Sequence, residues 1–329
     1  MKSIRNRVRT ISAALGLISS FFVASTAVAA YPEKPVRLLI PFTAGGPTDH
    51  LARMVGQRLG EVLGQPVIAD NRPGANSIVA IQTLMQAQPD GYTLFFAGLG
   101  PLVLTPALYK TLPYDAERDL VPVGPSASMP LVMLVNPDLP VENLDEFIAY
   151  AKERPGELNY GSPGVGNPLH LSVEMFTSGA DIDMHHIPFN GTAPALTSLI
   201  GGEIHTVFDV IQSALPFIES GRLRPLAVTT PERNGALPDV PTFDESGFPG
   251  YSAGSWYVVA APAGTPEDVQ QVLNDALRKV VAEPGFASSV EKLGLIPHPP
   301  MDFEQMDTFI EGEKKRWGEI IEANEFTLD

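Results

Sequence analysis

Two stretches of this sequence share one construction: a short, β-prone apolar run, a glycine-rich loop, and a helix that opens on a proline. In the first, residues 36–41 (VRLLIP) run into TAGGPTDHLARMVGQRLGEVLG, where Leu51, Met54, Val55, Leu59 and Val62 recur at helical spacing. Thr43, Ala44, Gly45 and Gly46 can turn tightly, Pro47 suits a first helical position, and Thr48 or Asp49 can cap. In the second, a strand ends at Tyr160, residues 161–166 form the loop, Asn167 caps, and Pro168 takes the first helical position. Such a junction aims the unpaired first-turn N–H groups of a helix outward, where they carry roughly half a positive charge. Either loop alone reads first as an ordinary capped strand-to-helix turn, the commoner case for a single glycine-rich stretch. Two of matching design point to a pair of loops that hold a small anion such as a carboxylate.

Strand and helix alternate through the rest of the chain. Strands are predicted at 66–69 and 93–97, with a helix at 78–87 between them and a helical turn at 102–108. A second series follows 131–135 (LVMLV), with strands near 158–160, 184–187, 206–209 and 225–228 separated by helices at 144–153, 168–177, 193–200 and 213–220. Residues 255–261 (SWYVVAA) form a further apolar strand, ahead of helices at 266–282, 286–293 and 303–324. Alternation at this spacing predicts an α/β fold of parallel βαβ units. The chain is expected to cross twice between two lobes, with 31–131 plus 256–329 in one and 132–255 in the other, and with LVMLV and SWYVV as hinge strands. In open α/β sheets ligands sit beyond the carboxyl ends of the strands, so a cleft between the lobes follows.

At the N-terminus, Lys2, Arg5, Arg7 and Arg9 precede a mostly apolar run over 11–23 and small residues over 24–30. The run falls short of the roughly 20 residues that span hydrocarbon, which predicts a secretory signal peptide over 1–30, cleaved after Ala29 or Ala30. Removing those four positive charges takes the formal charge from −16 to −20. A field of that sign disfavours nucleic acid and anionic lipid as partners, and it leaves the capture of an anion to local dipoles. The chain has no cysteine, which excludes disulfides, Cys-ligated zinc, iron–sulfur clusters and thiol nucleophiles.

Competing motifs fail on particular residues. Gly161 to Gly166 fits the first part of a phosphate-binding loop, but Asn167 and Pro168 stand where Lys and Ser or Thr are required. Gly164 and Gly166 are followed by Leu169 where a dinucleotide fingerprint needs glycine. Gly250-Tyr251-Ser252-Ala253-Gly254 spells the nucleophile elbow of hydrolases, yet a turn precedes it and a strand follows. None of the six histidines has zinc spacing, so no metal and no cofactor is expected. His170, in the first turn after the second loop, can donate to a ligand oxygen or be a helix-surface histidine. Asp49 in the matching place reads first as a cap. Trp256 and Tyr257 can face the cleft from the hinge strand but read first as core, with Trp256 kept as the secondary cleft candidate, and NRPGANS reads as a turn without chemistry.

Seven segments then stand in one order: YPEKPVRLLIPFTAGGPTDHLAR, NRPGANS, PDGYTL, GSPGVGNPLHL, PFNGTAPALTSLIGGEIH, PDVPTFDESGFPG and WYVVAAPAGTP. In that order they resemble the Bug-type extracytoplasmic solute receptors of tripartite tricarboxylate transporters, over essentially all of residues 31–329. The resemblance implies a type II periplasmic-binding fold that closes on a small carboxylate: a di- or tricarboxylate, an acidic amino acid, a nicotinate-like acid or an aromatic acid. It implies a monomer that passes its ligand to membrane subunits of the transporter and carries out no catalysis. Carried over to this sequence, the first loop contributes Phe42, Thr43, Ala44, Gly45, Gly46, Thr48 and Asp49. The second contributes Ser162, Gly164, Val165, Gly166, Asn167 and His170. Gly98, Leu99 and Gly100, then Asn190, Thr192 and Ala193, then Asp209, match further segments lining the cleft. Relatives often carry hydroxyl residues where this chain has Asn167 and Pro168, and again where it has Gly98 to Gly100, which makes that end more apolar. Leu99 with Phe42 is expected to flank an aromatic ring, which brings terephthalate in beside aliphatic dicarboxylates. Two alternatives remain open: a sensory receptor presenting ligand to a membrane kinase, and a periplasmic hydrolase using Ser252, or His170 with Asp49 or Asp209.

Overall fold

The computed structural model describes residues 31–323 and Phe326, so the signal peptide expected over 1–30 lies outside the described residues. Ten strands form one sheet. They are β1 (Val36–Ile40), β2 (Val67–Asn71), β3 (Thr93–Gly98), β4 (Leu120–Val135), β5 (Leu158–Ser162), β6 (Met184–Pro188), β7 (Thr206–Val210), β8 (Arg224–Val228), β9 (Gly254–Pro262) and β10 (Ile296–Pro297). The order across the sheet is β2-β1-β3-β9-β4-β7-β5-β6, with β8 and β10 paired to β4 off that path. The α/β class is as expected, and the helices form within a few residues of their predicted bounds. Pairing is parallel toward the two ends, where β1 joins β2 and β3 and β5 joins β6 and β7. It is antiparallel in the middle, where β9 joins β3 and β4, and β4 joins β7 and β8. The parallel βαβ units are those expected, and the antiparallel centre comes from β4 and β9, which run between the two series instead of belonging to either.

The strand that crosses from one half to the other is β4, sixteen residues long. Its first part, from Leu120 to Pro130, pairs with β9, while Leu131 to Val135 pair with β7 and β8. The register slips between Pro122 and Gly124 and between Pro125 and Ser128. Prolines lack a ladder donor, and an irregular register bends a strand. The two segments expected as hinge strands therefore lie on different sides: LVMLV pairs in the second half of the sheet and SWYVV in the first. The return passage lies between β8 and β9 and holds a bridge of Val228 to Thr242.

Buried side chains follow β4 across the molecule. One apolar cluster runs from Leu38 and Phe96 through Met129 and Leu131 to Phe147 and Phe208. The helix Glu267–Ala282 lies over β4 at Gly124, where an added Cβ would come 2.4 Å from Leu277 Cδ1. Gly124→Ala should therefore cost about 1–3 kcal/mol through overpacking. Gly312→Ala, in the helix Phe303–Ala323 with open space around its Cα, should instead stabilise by roughly 0.5–1 kcal/mol. Urea unfolding of both variants checks the pair.

Candidate functional site

The first loop leaves β1 and enters the helix Pro47–Leu63 through Gly46, whose extended backbone (φ −82°, ψ 170°) makes it the N-cap. Gly45 turns the chain at φ 86°. The Asp49 carboxylate accepts from Gly45 N–H at 2.9 Å, from Arg53 Nε at 2.9 Å and from Asn71 Nδ2 at 2.8 Å. Burial alone would raise its acid, but Arg53 and the Gly45 amide outweigh that and hold it below the usual carboxylate range. Asp49 thus braces the loop from inside. The first helical bond runs from His50 N–H to Gly46 O at 3.0 Å, so the Thr48 and Asp49 amides behind Pro47 have no acceptor within the helix. The Thr48 hydroxyl lies 2.9 Å from Tyr257 OH in a buried pair.

The second loop leaves β5 and enters the helix Pro168–Ala180 through Asn167. It uses up more of its own donors. Gly164 N–H donates to Ser162 Oγ at 3.2 Å, Gly166 N–H to His170 Nδ1 at 3.3 Å, and Leu169 N–H to the Asn167 side chain at 3.0 Å. Behind it, Tyr160, His186 and His170 form a packed group of rings, with 4.1 Å between the two imidazole centroids. His186 Nε2 lies 2.7 Å from Ser162 Oγ, and Tyr160 OH donates to Glu174. Burial pushes both imidazoles down from 6.5 to about 4, so both are neutral at ordinary pH and His170 can accept from Gly166.

Between the loops lies a cavity with about 950 Å³ of atom-free space, including its open mouth. Four N-caps, Gly46, Asn167, Gly191 and Val210, stand in its wall. They begin the helices Pro47–Leu63, Pro168–Ala180, Thr192–Ile200 and Ile211–Glu219. No Lys, Arg, His, Asp or Glu side chain is among its described lining residues. The polar contribution comes from amides and from groups such as Thr48, Asn76, Thr192, Ser255 and Tyr257, and the apolar walls from Phe42, Pro101, Met129, Leu169 and Val210.

Of the residues singled out in the sequence, Phe42, Thr43, Gly46 and Thr48 line the cavity, as do Gly98 and Gly100, Gly166 and Asn167, and Thr192. The others sit elsewhere. Ala44, Gly45, Val165, Asn190 and Ala193 are exposed outside the wall, and Gly164 is half-buried beside it. Ser162, Asp49 and His170 stand behind their loops as described. Leu99, expected to flank a ring beside Phe42, is 1% exposed and packs in a second apolar cluster with Phe95 and Trp256. Next to it, Gly98 is pressed so closely on β9 that a Cβ would lie 2.7 Å from the Tyr257 ring. Tyr257 thus occupies the place Leu99 was expected to take. Asp209 is fully buried, one residue from the wall residue Val210, and strand alternation turns it to the opposite face. Its Oδ1 accepts from Val210 N–H at 2.7 Å, its Oδ2 has no partner among the described residues, and burial pushes its acid up to about 7. Trp256 donates Nε1 to Glu313 at 2.8 Å on the far side of β9.

Several wall residues escaped the sequence reading. Ser255 is one, and it follows from alternation once Trp256 is assigned to the other face; Tyr257, weighed for the cleft but read first as core, lines the wall by the same alternation. Asn76 and Ser77 lie in NRPGANS, which was read as a plain turn. There Ala75, Asn76 and Ser77 take φ of 45°, 48° and 79°, three successive residues in a region that favours glycine. Backbone of that kind concentrates at functional sites. Ser252 precedes a strand, and its carbonyl accepts from Arg316, so the backbone is not that of a hydrolase elbow. Among the described residues no helix is long and apolar enough to cross a membrane.

The pattern of the TctC family, described as the tripartite tricarboxylate transporter family receptor, matches residues 51–326. BugT of Bordetella pertussis is 34% identical over 313 residues, 92% of this chain and 95% of that protein. The solved structure of Rpa4515 from R. palustris with adipate superposes at a TM-score of 0.85 and 34% identity, over 90% of this chain and 99% of that one. MatC from Rhodopseudomonas palustris with bound malate superposes at 0.80 and 31% identity, over 88% and all of its chain. The chain belongs to the TctC, or Bug-type, family of periplasmic solute-binding receptors, which are not enzymes.

Proposed function

We propose that this chain captures a small carboxylate by closing two lobes, 31–131 with 256–329 and 132–255, and delivers it as a monomer to the membrane subunits of a tripartite tricarboxylate-type transporter. An N-terminal signal peptide, cleaved after Ala29 or Ala30, sends it to the periplasm. The observation that carries the reading is the meeting of four helix N-termini at a cavity without charged side chains. Helix-terminal amides can replace the water around a carboxylate, and the site pre-pays no desolvation of a buried cation. Phe42, Thr43, Gly46 and Thr48 face the ligand from one lobe, and Gly166, Asn167 and Thr192 from the other. Rpa4515 is solved with adipate and MatC with malate. The apolar walls of this cavity favour an acid with an apolar middle, either adipate-like or aromatic as in terephthalate, over the hydroxylated malate and citrate.

Calorimetry with adipate, terephthalate, benzoate, succinate, malate and citrate tests this. Adipate or terephthalate should bind more tightly than citrate, and a preference for citrate or malate would reverse the assignment of ligand type. Gly46 tolerates a side chain in its extended backbone, with Thr43 O the nearest atom at 3.7 Å. Gly46→Val should therefore weaken binding by about a hundredfold, roughly 2.7 kcal/mol, with the ligand-free melting temperature nearly unchanged. Retained affinity would remove the first loop from the site. Gly166→Val is a poorer test, because φ 72° strains any side chain and stability would fall as well.

The ring group behind the second loop predicts a pH dependence. The unfolded chain protonates histidine near 6.5 while the native His170 stays neutral to about 4, so the unfolded state binds more protons between those values. Stability contributed by a neutral His170 is complete above 6.5 and lost as pH falls toward 4. Asp209, raised to about 7, acts in the opposite sense, so the comparison must be between variants. The melting temperature of His170→Gln should fall less steeply from pH 6.5 to 4 than that of the wild type.

A further inference from the structure

Two hydrogen bonds join the halves of the sheet across the cavity without belonging to the framework of either. Gln212, in the first turn of the helix Ile211–Glu219, directs Nε2 to His50 Nδ1 at 2.8 Å, in the first turn of the helix Pro47–Leu63. Asn76 Nδ2 reaches the Val165 carbonyl, on the second loop, at 3.4 Å. Both bonds lie at exposed positions, and their partners are 162 and 89 residues apart in the chain. Each helix behind the first bond begins at a cavity-lining N-cap, Gly46 or Val210, yet His50 and Gln212 do not line the cavity themselves. We propose that the Gln212–His50 bond, seconded by Asn76–Val165, is a latch that holds the cleft closed and sets how slowly the ligand leaves. This rests on the receptor reading above.

The surroundings suit a latch that must also open. Gln212 Oε1 is buried with no hydrogen-bond partner among the described residues. A buried acceptor without a partner is unfavourable, and opening would return it to water. Asn76 is the middle one of the three successive left-handed residues, a backbone that is costly to maintain. The closed arrangement thus sets two bonds against strain and desolvation, and bound ligand tips the balance. Because the bonds form only once the halves meet, they act on dissociation and leave encounter unaffected. His50 and Gln212 stand outside the cavity wall, so their bond slows the release of every bound acid alike and plays no part in selecting among them.

The chain has no cysteine, so Glu61→Cys and Glu219→Cys, both at exposed helix positions, give two specific dye sites, one on each half. Energy transfer between them reports the separation with and without adipate or terephthalate, and stopped flow gives the release rate. Gln212→Ala should lengthen the average separation and raise the release rate about three- to tenfold, with the association rate unchanged. His50→Ala should do the same, and the double variant should be little worse than either single one. Unchanged separation and release in Gln212→Ala, or single effects that add in full, would overturn the latch. Should the wild type bind none of the acids, the ligand assignment fails, and the latch is read from the closed fraction of ligand-free protein, which Gln212→Ala should lower and which, if unchanged, overturns the latch.

Discussion

Strand β4 is the constraint on which the rest of the arrangement depends. Among the described residues it is the one strand that pairs on both sides of the molecule, with β9 through its first part and with β7 and β8 through its last. Met129, just ahead of the change of partner, stands in the cavity wall, so the cavity lies over the point where the sheet changes hands. The prolines at 122, 125 and 130 suit this position, since each withholds a donor and leaves the ladder irregular. A strand fully paired on both edges throughout would weld the halves into one stiff plane. Here buried contacts are continuous along β4 while its pairing is not, and a hinge needs both.

The cavity solves an electrostatic problem set by composition. With a formal charge of −16, the chain repels an anion at long range, and no cation stands among the described residues of the wall to attract it at short range. What remains is the orientation of backbone dipoles, and four helix N-termini supply it. The two principal loops do so unequally. In the first, Asp49 is spent on Gly45, Arg53 and Asn71, and the amides of Thr48 and Asp49 remain without helical acceptors. In the second, Gly164, Gly166 and Leu169 already donate to side chains of their own segment. The first loop is a ready cradle and the second a braced wall.

Much of this was legible in the residues. The strand-loop-helix alternation, the capping prolines and the two glycine loops are local signals, and local chemistry decides them. What stayed hidden depends on facing and on hydrogen-bond accounting. Leu99 packs in the core while Tyr257 stands in the wall, where Gly98 lets β9 approach closely, a contact between distant segments with no mark in either one. Asp209 was placed in the cleft, but alternation along β7 assigns the wall to Val210. NRPGANS looked like a turn because it is one. Its bearing on the site appears only when β2 delivers Asn76 opposite Val165.

His170 shows how such hidden roles connect. As a first-turn histidine it looked able to meet a ligand oxygen directly, and in the fold it accepts from Gly166, itself part of the wall. The stacked Tyr160 and His186 keep its imidazole dry, dryness keeps it neutral, and neutrality leaves Nδ1 free to accept. The orientation of a glycine in the cavity wall is therefore held by three rings that are not among its described lining residues. A loop braced in this way has its shape set by its own side chains, so the proposed closure needs no refolding of the second loop.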